Sequence, residues 1–522
     1  MSILNKENKK NIYNIIIGFI VLAISSVGLA YYWKVAYEVD YISNVNLTIY
    51  ITLFLSIIYF FAIAIFTFCK NNSNLKTVLL VFLAGLVFVF AGAPLQVPDE
   101  IQHFLRCYAL SEGHFDFNGT RVFEGDIAIL EKSFPAAFLN YHNYDNSIIS
   151  GFENYYNMLS ESIKKHEISE AFNFQILPYI FQVICILIGK LFSLSALGLM
   201  YASRIGGLIL YCLISYFALN NCDRYKPVFI AVMFLPISIY VSASSSYESL
   251  IISSAYLLVS YYCKNTITIK DLPLIIFAVS VSAIKLPHLI LIAIILFIPK
   301  NRIDIKLKGK KIPKWVIILI GVVATIVVYY LMTLYVSVMK TGYPPTERWN
   351  PDVNIMGQIE FILKNPFAYV SRLVLTLYEN SMFFNGLGEF GYLDVHIPMI
   401  SYLSVISLFI ASFFAINKNN KEKTFSIYVL LGFIAMFVAI IMTALYVTWT
   451  PVSMIRVIGL QVRYFLPVIP LLFITISYFC SKLFKPLDNM ETKIINISNI
   501  IPFIVAIISG VLVFQHYFIG PF

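Results

Sequence analysis

The chain has 522 residues, of which 59% are hydrophobic, 16% aromatic and only 12% charged, with a mean hydropathy of +0.80. So much apolar surface excludes a soluble domain. The formal charge of +9 is spread over short basic loops, which argues against a nucleic-acid partner.

A transmembrane helix needs roughly 17 to 25 apolar residues. Apolar runs lie near 12–33, 47–69, 76–95, 174–192, 199–219, 226–244, 247–263, 271–299, 313–338, 396–416, 424–447, 462–481 and 494–517. The short alternating segments of a β-barrel are absent from the pattern. The expected fold class is an all-α polytopic membrane protein of about 13 transmembrane helices. The first run lacks a small-residue cleavage site and reads as a retained helix.

Basic residues orient the runs, because cytoplasmic loops collect Lys and Arg. Between Lys300 and Lys314 seven basic residues stand against Asp304 alone. Lys6, Lys9, Lys10, Lys70, Lys76, Lys418, Lys421, Lys423, Lys482, Lys485 and Lys493 mark the other inner loops. The outer face then receives two large loops and the short stretch 448–461. The division is 1–95, N-terminal membrane helices; 96–173, first extracytoplasmic loop; 174–338, central membrane helices; 339–395, second extracytoplasmic loop with an interfacial helix within 364–384; 396–522, C-terminal membrane helices. Two arrangements fit 174–299. Either 174–192 crosses and 271–299 is one span, or 174–192 lies flat and 271–299 is a hairpin of two short helices. The second is favoured, since it places Asp223, Arg224 and Lys226 inside and turns Ser242–Glu248 and Lys285 outward. Seven scattered cysteines show no CxxC pair and no metal spacing.

The first outer loop opens with "VPDEIQHFLRCYALSEGHF". Pro98 suits the first turn of a helix, and Asp99 and Glu100 suit the positive end of its dipole. At helical spacing Asp99, His103 and Arg106 share a face, a carboxylate beside His and Arg that suits a general base. Asp99 and Glu100 also suit Mg²⁺ or Mn²⁺ bridging a phosphate. Glu248 follows a serine-rich turn in an otherwise uncharged stretch, and Lys285 interrupts an apolar run before Pro287 and His288. Ionisable groups at membrane depth are costly and point to function. Arg456, Gln461 and Arg463 stand among aromatic residues in the last outer loop, against the positive-inside trend; arginine forks bind phosphate bidentately. Trp349, Glu389 and Asp394, with Glu379, Asn380 and Tyr392, supply an aromatic, polar acceptor groove in the second loop.

The stretch Pro98-Asp99-Glu100-x-x-His103-Phe104-x-Arg106-x-Tyr108-x-Leu110-Ser111-Glu112-Gly113 resembles the signature of a bacterial membrane-protein family labelled a domain of unknown function and grouped with GT-C-type glycosyltransferases. "SRIGGL", "SASSSYESL", "AIKLPH", "GLGEFGYLDVHIP" and "WTPV" followed by "GLQVRYFLP" resemble it in order, from about residue 90 to 470. The likeness departs at Tyr247-Glu248, where Asp is usual, and at Val462, where Gly is commoner. It implies a GT-C fold and a polyprenyl-phosphate sugar donor bound at the outer leaflet of the cytoplasmic membrane. It also implies a surface glycan or glycolipid acceptor, with Asp99 as base, Glu100 as its helper, and Lys285, Arg456 and Arg463 facing the donor phosphate. Rival readings are a transporter or flippase of lipid-linked glycans, a ligase or polymerase using a pyrophosphate-linked donor, and a non-catalytic envelope scaffold.

Overall fold

The computed structural model describes residues 41–69, 72–115, 120–135, 148–161, 167–171, 177–307, 310–338, 352–379, 382–416, 424–485 and 491–518. The run 12–33, Trp349 and Asn380 lie outside the described residues. The chain divides into two units, Met1–Ala84 and Gly85–Phe522. The first holds helix α1 (Tyr41–Phe68) and the start of α2 (Ser73–Ala91). Asn72 caps α2 by accepting the Leu75 N–H at 3.0 Å, and the Lys76 ammonium lies 5.3 Å over the Phe66 ring.

The second unit continues through α3 (Glu100–Ser111), α4 (Asp126–Ser133), α5 (Ile149–Glu161), α6 (Ile180–Leu191) and α7 (Ala196–Asn221). Then come α8 (Lys226–Met233), α9 (Pro236–Ser242), α10 (Glu248–Cys263), α11 (Leu272–Val281), α12 (Ile294–Phe297) and α13 (Lys314–Val338). The rest comprises α14 (Ile355–Lys364), α15 (Pro366–Glu379), α16 (Met382–Asn385), α17 (Pro398–Phe414), α18 (Thr424–Thr448), α19 (Ile469–Leu483) and α20 (Glu491–Phe518). Among the described residues, five helices are long and apolar enough to cross a membrane: Ser73–Ala91, Ala196–Asn221, Ser426–Thr448, Val462–Leu483 and Lys493–Phe518. The protein is therefore a polytopic helical membrane protein.

Several apolar runs are interrupted, for identifiable reasons. The run near 226–244 splits where Pro236, which has no N–H, starts α9. The run near 271–299 breaks at Lys285, whose backbone is extended between two 3₁₀ segments, Ser282–Ile284 and Leu286–Ala293. Its two ends meet: Ile267 N–H donates to Arg302 O at 2.8 Å and Asp304 N–H to Ile267 O at 2.9 Å. The segment therefore leaves one end of the unit, turns at Lys285 and returns, which is the hairpin expected. Glu248, at the start of α10, pairs with Lys285 at the turn.

The opposite end of α10 is fixed by Arg224, which donates to Tyr262 O at 2.8 Å, and by Asp223, which accepts from Asn265 N–H at 2.8 Å. Asp223, Arg224 and Arg302 thus lie at one end of α10, and Ser245, Glu248 and Lys285 at the other, about 24 Å away at 1.5 Å per residue. Every residue of α10 is buried, so it is the central helix of the unit.

In the described part of segment 174–192, the 3₁₀ turn Leu177–Tyr179 leads into α6 (Ile180–Leu191), about 18 Å long and shorter than a bilayer crossing. It runs antiparallel along the first half of α7: the Cβ direction of Gly206 meets Phe181 O and Gln182, and that of Gly189 meets Leu199. α14 is followed by α15, which falls within 364–384, where a helix is expected. Met356, Ile359, Leu363, Phe367, Val370 and Val374 recur every three or four residues along them, all exposed, an apolar stripe suited to a membrane surface.

Candidate active site

The site begins with Arg204, within "SRIGGL" on α7 and wholly buried. A guanidinium has five N–H donors, and here each has an acceptor. Nε donates to Glu100 Oε1 at 2.8 Å and Nη2 to Oε2 at 2.6 Å. Nη1 donates to Val89 O at 2.9 Å and Gly92 O at 2.7 Å, and Nη2 to Ala93 O at 2.7 Å. These carbonyls lie at and just beyond the end of α2, where a helix leaves acceptors unsatisfied. Glu100 also accepts the N–H groups of Ser245 at 3.2 Å and Val97 at 3.4 Å. Arg204 therefore ties the end of α2, the start of α3 and the serine-rich turn together. The next residues of the motif allow this: a Cβ on Gly207 would fall 2.6 Å from Ser244 O, so only glycine admits that turn so close.

Held this way, the chain presents Asp99 at the N-cap of α3 in a left-handed conformation, φ 63°, with no side-chain cap hydrogen bond. Asp99 does not share a helical face with His103 and Arg106, because it is not helical. Its side chain is 56% exposed, while His103 and Arg106 turn inward and are buried. The two adjacent acids are thus divided. Glu100 has both carboxylate oxygens engaged by Arg204 and backbone, which leaves Asp99 as the one carboxylate of the pair open to a ligand. Among the described residues no group of three or more His, Cys, Asp or Glu is placed to hold a metal. Of the two acids expected to hold a cation, the geometry leaves Asp99 open, while Arg204 holds Glu100.

Asp99 Oδ2 lies 3.6 Å from Arg463 Nη2. Arg463 comes from the 3₁₀ segment Val462–Val468 and is only 7% exposed. Its guanidinium covers the Tyr464 ring at 5.3 Å, and its Nε is buried with no protein partner among the described residues. The Lys285 ammonium lies 5.0 Å from the centroid of the same ring and 5.6 Å from that of the Tyr247 ring. Lys285 is ion-paired with Glu248. Glu248 feels the charges of both Lys285 and Arg463.

His103 Nδ1 pairs with Tyr179 Oη at 2.7 Å, and its ring meets the Tyr247 ring edge-on at 4.7 Å. Burial pulls the imidazole down to about 3, so it is neutral at physiological pH. His103 packs the back wall of the site rather than offering a charge to it. Arg106 reaches His114 O at 3.5 Å from within the first outer loop.

Arg463 and Gln461 line a small, half-open hollow of about 20 Å³ with Pro98, Tyr240, Glu389 and Gly391. Glu389 pairs with His396 Nδ1 at 3.5 Å across the short hairpin β1 (Glu389–Phe390) and β2 (Val395–His396). Burial raises the carboxyls of Glu389 and Asp394 above the usual range. Asp394 is not in that lining: its carboxylate packs against the backbone of Gly391, where φ is 63° and a Cβ would lie in contact with it. Tyr392, whose hydroxyl burial and the Asp99 and Glu100 charges push up, sits beside the start of α3. Arg456 is exposed in the stretch that follows α18.

The structure thus brings Asp99, Glu248, Lys285 and Arg463 to one place, with Gln461 and Glu389 along the adjoining hollow. The sequence reading gave no role to Arg204, Tyr247, Tyr464 or Tyr179. An arginine in the middle of an apolar run was the available signal for the first; nothing local marked the tyrosines.

The chain is a membrane protein with a buried charge network at one end of α10. Residues 80–472 match the family DUF2142, described as a predicted membrane protein, and the chain belongs to that family. No curated protein and no solved structure matches the chain.

Proposed function

We propose that this protein is an integral membrane glycosyltransferase of the GT-C type. It moves a sugar from a polyprenyl-phosphate donor to a surface glycan or glycolipid on the outer face of the cytoplasmic membrane. The observation that carries the reading is a half-exposed carboxylate, Asp99, 3.6 Å from the Arg463 guanidinium, with a second cation, Lys285, near the same Tyr464 ring. Glycosyl transfer from a lipid phosphate needs a base for the acceptor hydroxyl and positive charge for the departing phosphate. Asp99 takes the acceptor proton as its oxygen bonds to the anomeric carbon, and the bond from that carbon to the phosphate oxygen breaks with the electron pair on the phosphate. Arg463 and Lys285 stabilise that oxygen where charge develops. Glu100 serves as a positioning residue through Arg204. The exposed stripe of α14 and α15 suits contact with the lipid surface from which the donor comes.

The test is transfer by the purified full-length chain, reconstituted with a radiolabelled polyprenyl-phosphate sugar and envelope extract as acceptor. Asp99→Asn is expected to lower the rate by about 10²- to 10⁴-fold, the usual worth of a general base. Full transfer by Asp99→Asn would refute the assignment of the base. Movement of intact donor across the bilayer without transfer would favour the flippase reading.

A further inference from the structure

Before a ligand arrives the site is balanced, with two cations, Lys285 and Arg463, against two carboxylates, Glu248 and Asp99. The two acids are held differently. Asp99 is 56% exposed and 3.6 Å from its cation, so water screens it. Glu248 is 5% exposed and directly paired with Lys285, itself 19% exposed. The ionisable groups around Glu248 are Lys285 and His288 from the hairpin, Arg463 and Tyr464 from the 3₁₀ segment, Tyr247 from its own turn, and His103 from α3. Of these, His288 has both ring nitrogens buried with no partner among the described residues, and Arg463 has its Nε in the same state. Uncommitted buried polar atoms on two sides of one ion pair are costly unless a second arrangement uses them.

Resting on the donor reading above, we propose that Glu248 is a resident counter-ion that surrenders Lys285 to the phosphate as the phosphate gains its second negative charge. A lipid phosphate joined to a sugar is a diester with one negative charge, which Arg463 alone matches. When the bond to the sugar breaks, the electron pair stays on the phosphate oxygen and the lipid phosphate becomes a monoester carrying about −1.5 to −2. Lysine suits the handover, since its ammonium is a compact charge with three donors on a flexible stem. The second cation is then engaged only as the leaving group forms, which favours the transition state over the bound donor. Glu248, released, has His288 as a neighbour with a free ring N–H. Lys285 is accordingly a reader of the monoester, and Glu248 sets how readily it is given up.

The experiment measures binding of farnesyl monophosphate, methyl farnesyl phosphate (the matching diester) and farnesol to the full-length protein in nanodiscs. Glu248→Gln should tighten the monoester by about tenfold and leave the diester within about twofold. Lys285→Gln should weaken the monoester at least as much and spare the diester. Arg463→Gln should weaken both. Equal tightening of both esters, or weaker monoester binding, by Glu248→Gln would overturn the counter-ion proposal while leaving the donor reading intact. Wild-type protein that binds farnesol as well as either ester would overturn the donor reading itself. Should Glu248→Gln not fold, Glu248→Asp, whose shorter side chain loosens the pair, must shift the monoester in the same direction; no shift contradicts the proposal.

Discussion

Glu100 and Glu248 are both buried carboxylates paired with a basic side chain, yet the two pairs are built for different purposes. Arg204 meets Glu100 with a two-pronged fork and spends its remaining donors on three backbone carbonyls, so the pair is saturated. Lys285 meets Glu248 with a single ammonium near two tyrosine rings, beside a histidine and an arginine with ring or guanidinium nitrogens that have no partner among the described residues. Burying charge costs several kcal/mol per ion unless hydrogen bonds compensate it. A saturated pair can therefore hold a fold together, while an under-saturated pair is tolerated where another partner takes its place. The difference lies in hydrogen-bond count, and it goes with residue type and depth: a guanidinium fork fully buried against a single ammonium 19% exposed.

The comparison breaks first at Arg204. Arg204→Met leaves Glu100 buried without a cation and frees three carbonyls, and should cost about 3–5 kcal/mol, seen as a large fall in the unfolding temperature of the detergent-purified protein. The double variant Glu100→Leu with Arg204→Met should recover part of that loss, because the orphaned charge is gone. A smaller cost, about 1.5–3 kcal/mol, is expected for Lys285→Met, which removes one charged hydrogen bond at a partly exposed position. Equal destabilisation by Arg204→Met and Lys285→Met would erase the distinction. Asp99→Asn should shift stability by no more than about 0.5 kcal/mol, since an exposed Asp99 in the left-handed region loses nothing when Asn, which also tolerates that region, replaces it.

A further effect concerns pH. His103 is held at about 3 in the folded protein against an ordinary 6.5. Below about pH 6.5 the unfolded chain takes a proton that the folded chain refuses. The stability this neutral histidine contributes is thus complete above pH 6.5 and fades as pH falls toward about 3. Unfolding temperatures of wild type and His103→Gln, followed from pH 7 to pH 4, should converge on the acid side. A gap that widens with acid would place a charged His103 in the folded state.

Much of this was legible in the sequence where the signal is local. Pro98, Asp99 and Glu100 marked a helix start, and α3 begins at Glu100. Lys285 before Leu286-Pro287 marked a turn within an apolar run, and the hairpin bends there. What could not be read is what depends on distant partners. Nothing near Glu100 says that its cation lies on α7, or that Asp99 and Glu100 therefore separate into an open and a sealed acid. The packing of α6 along α7 through Gly206 and Gly189 is of the same kind, a contact between distant residues that hydropathy does not encode.

The most direct measurement is a structure of the full-length protein with a non-cleavable phosphonate analogue of the lipid-linked sugar. The account predicts the phosphonate within hydrogen-bond reach of Arg463, about 3 Å, with the anomeric carbon facing Asp99 and the lipid chain leaving toward the membrane. A phosphonate bound away from Arg463 and Lys285, with Asp99 facing no part of the sugar, would contradict it.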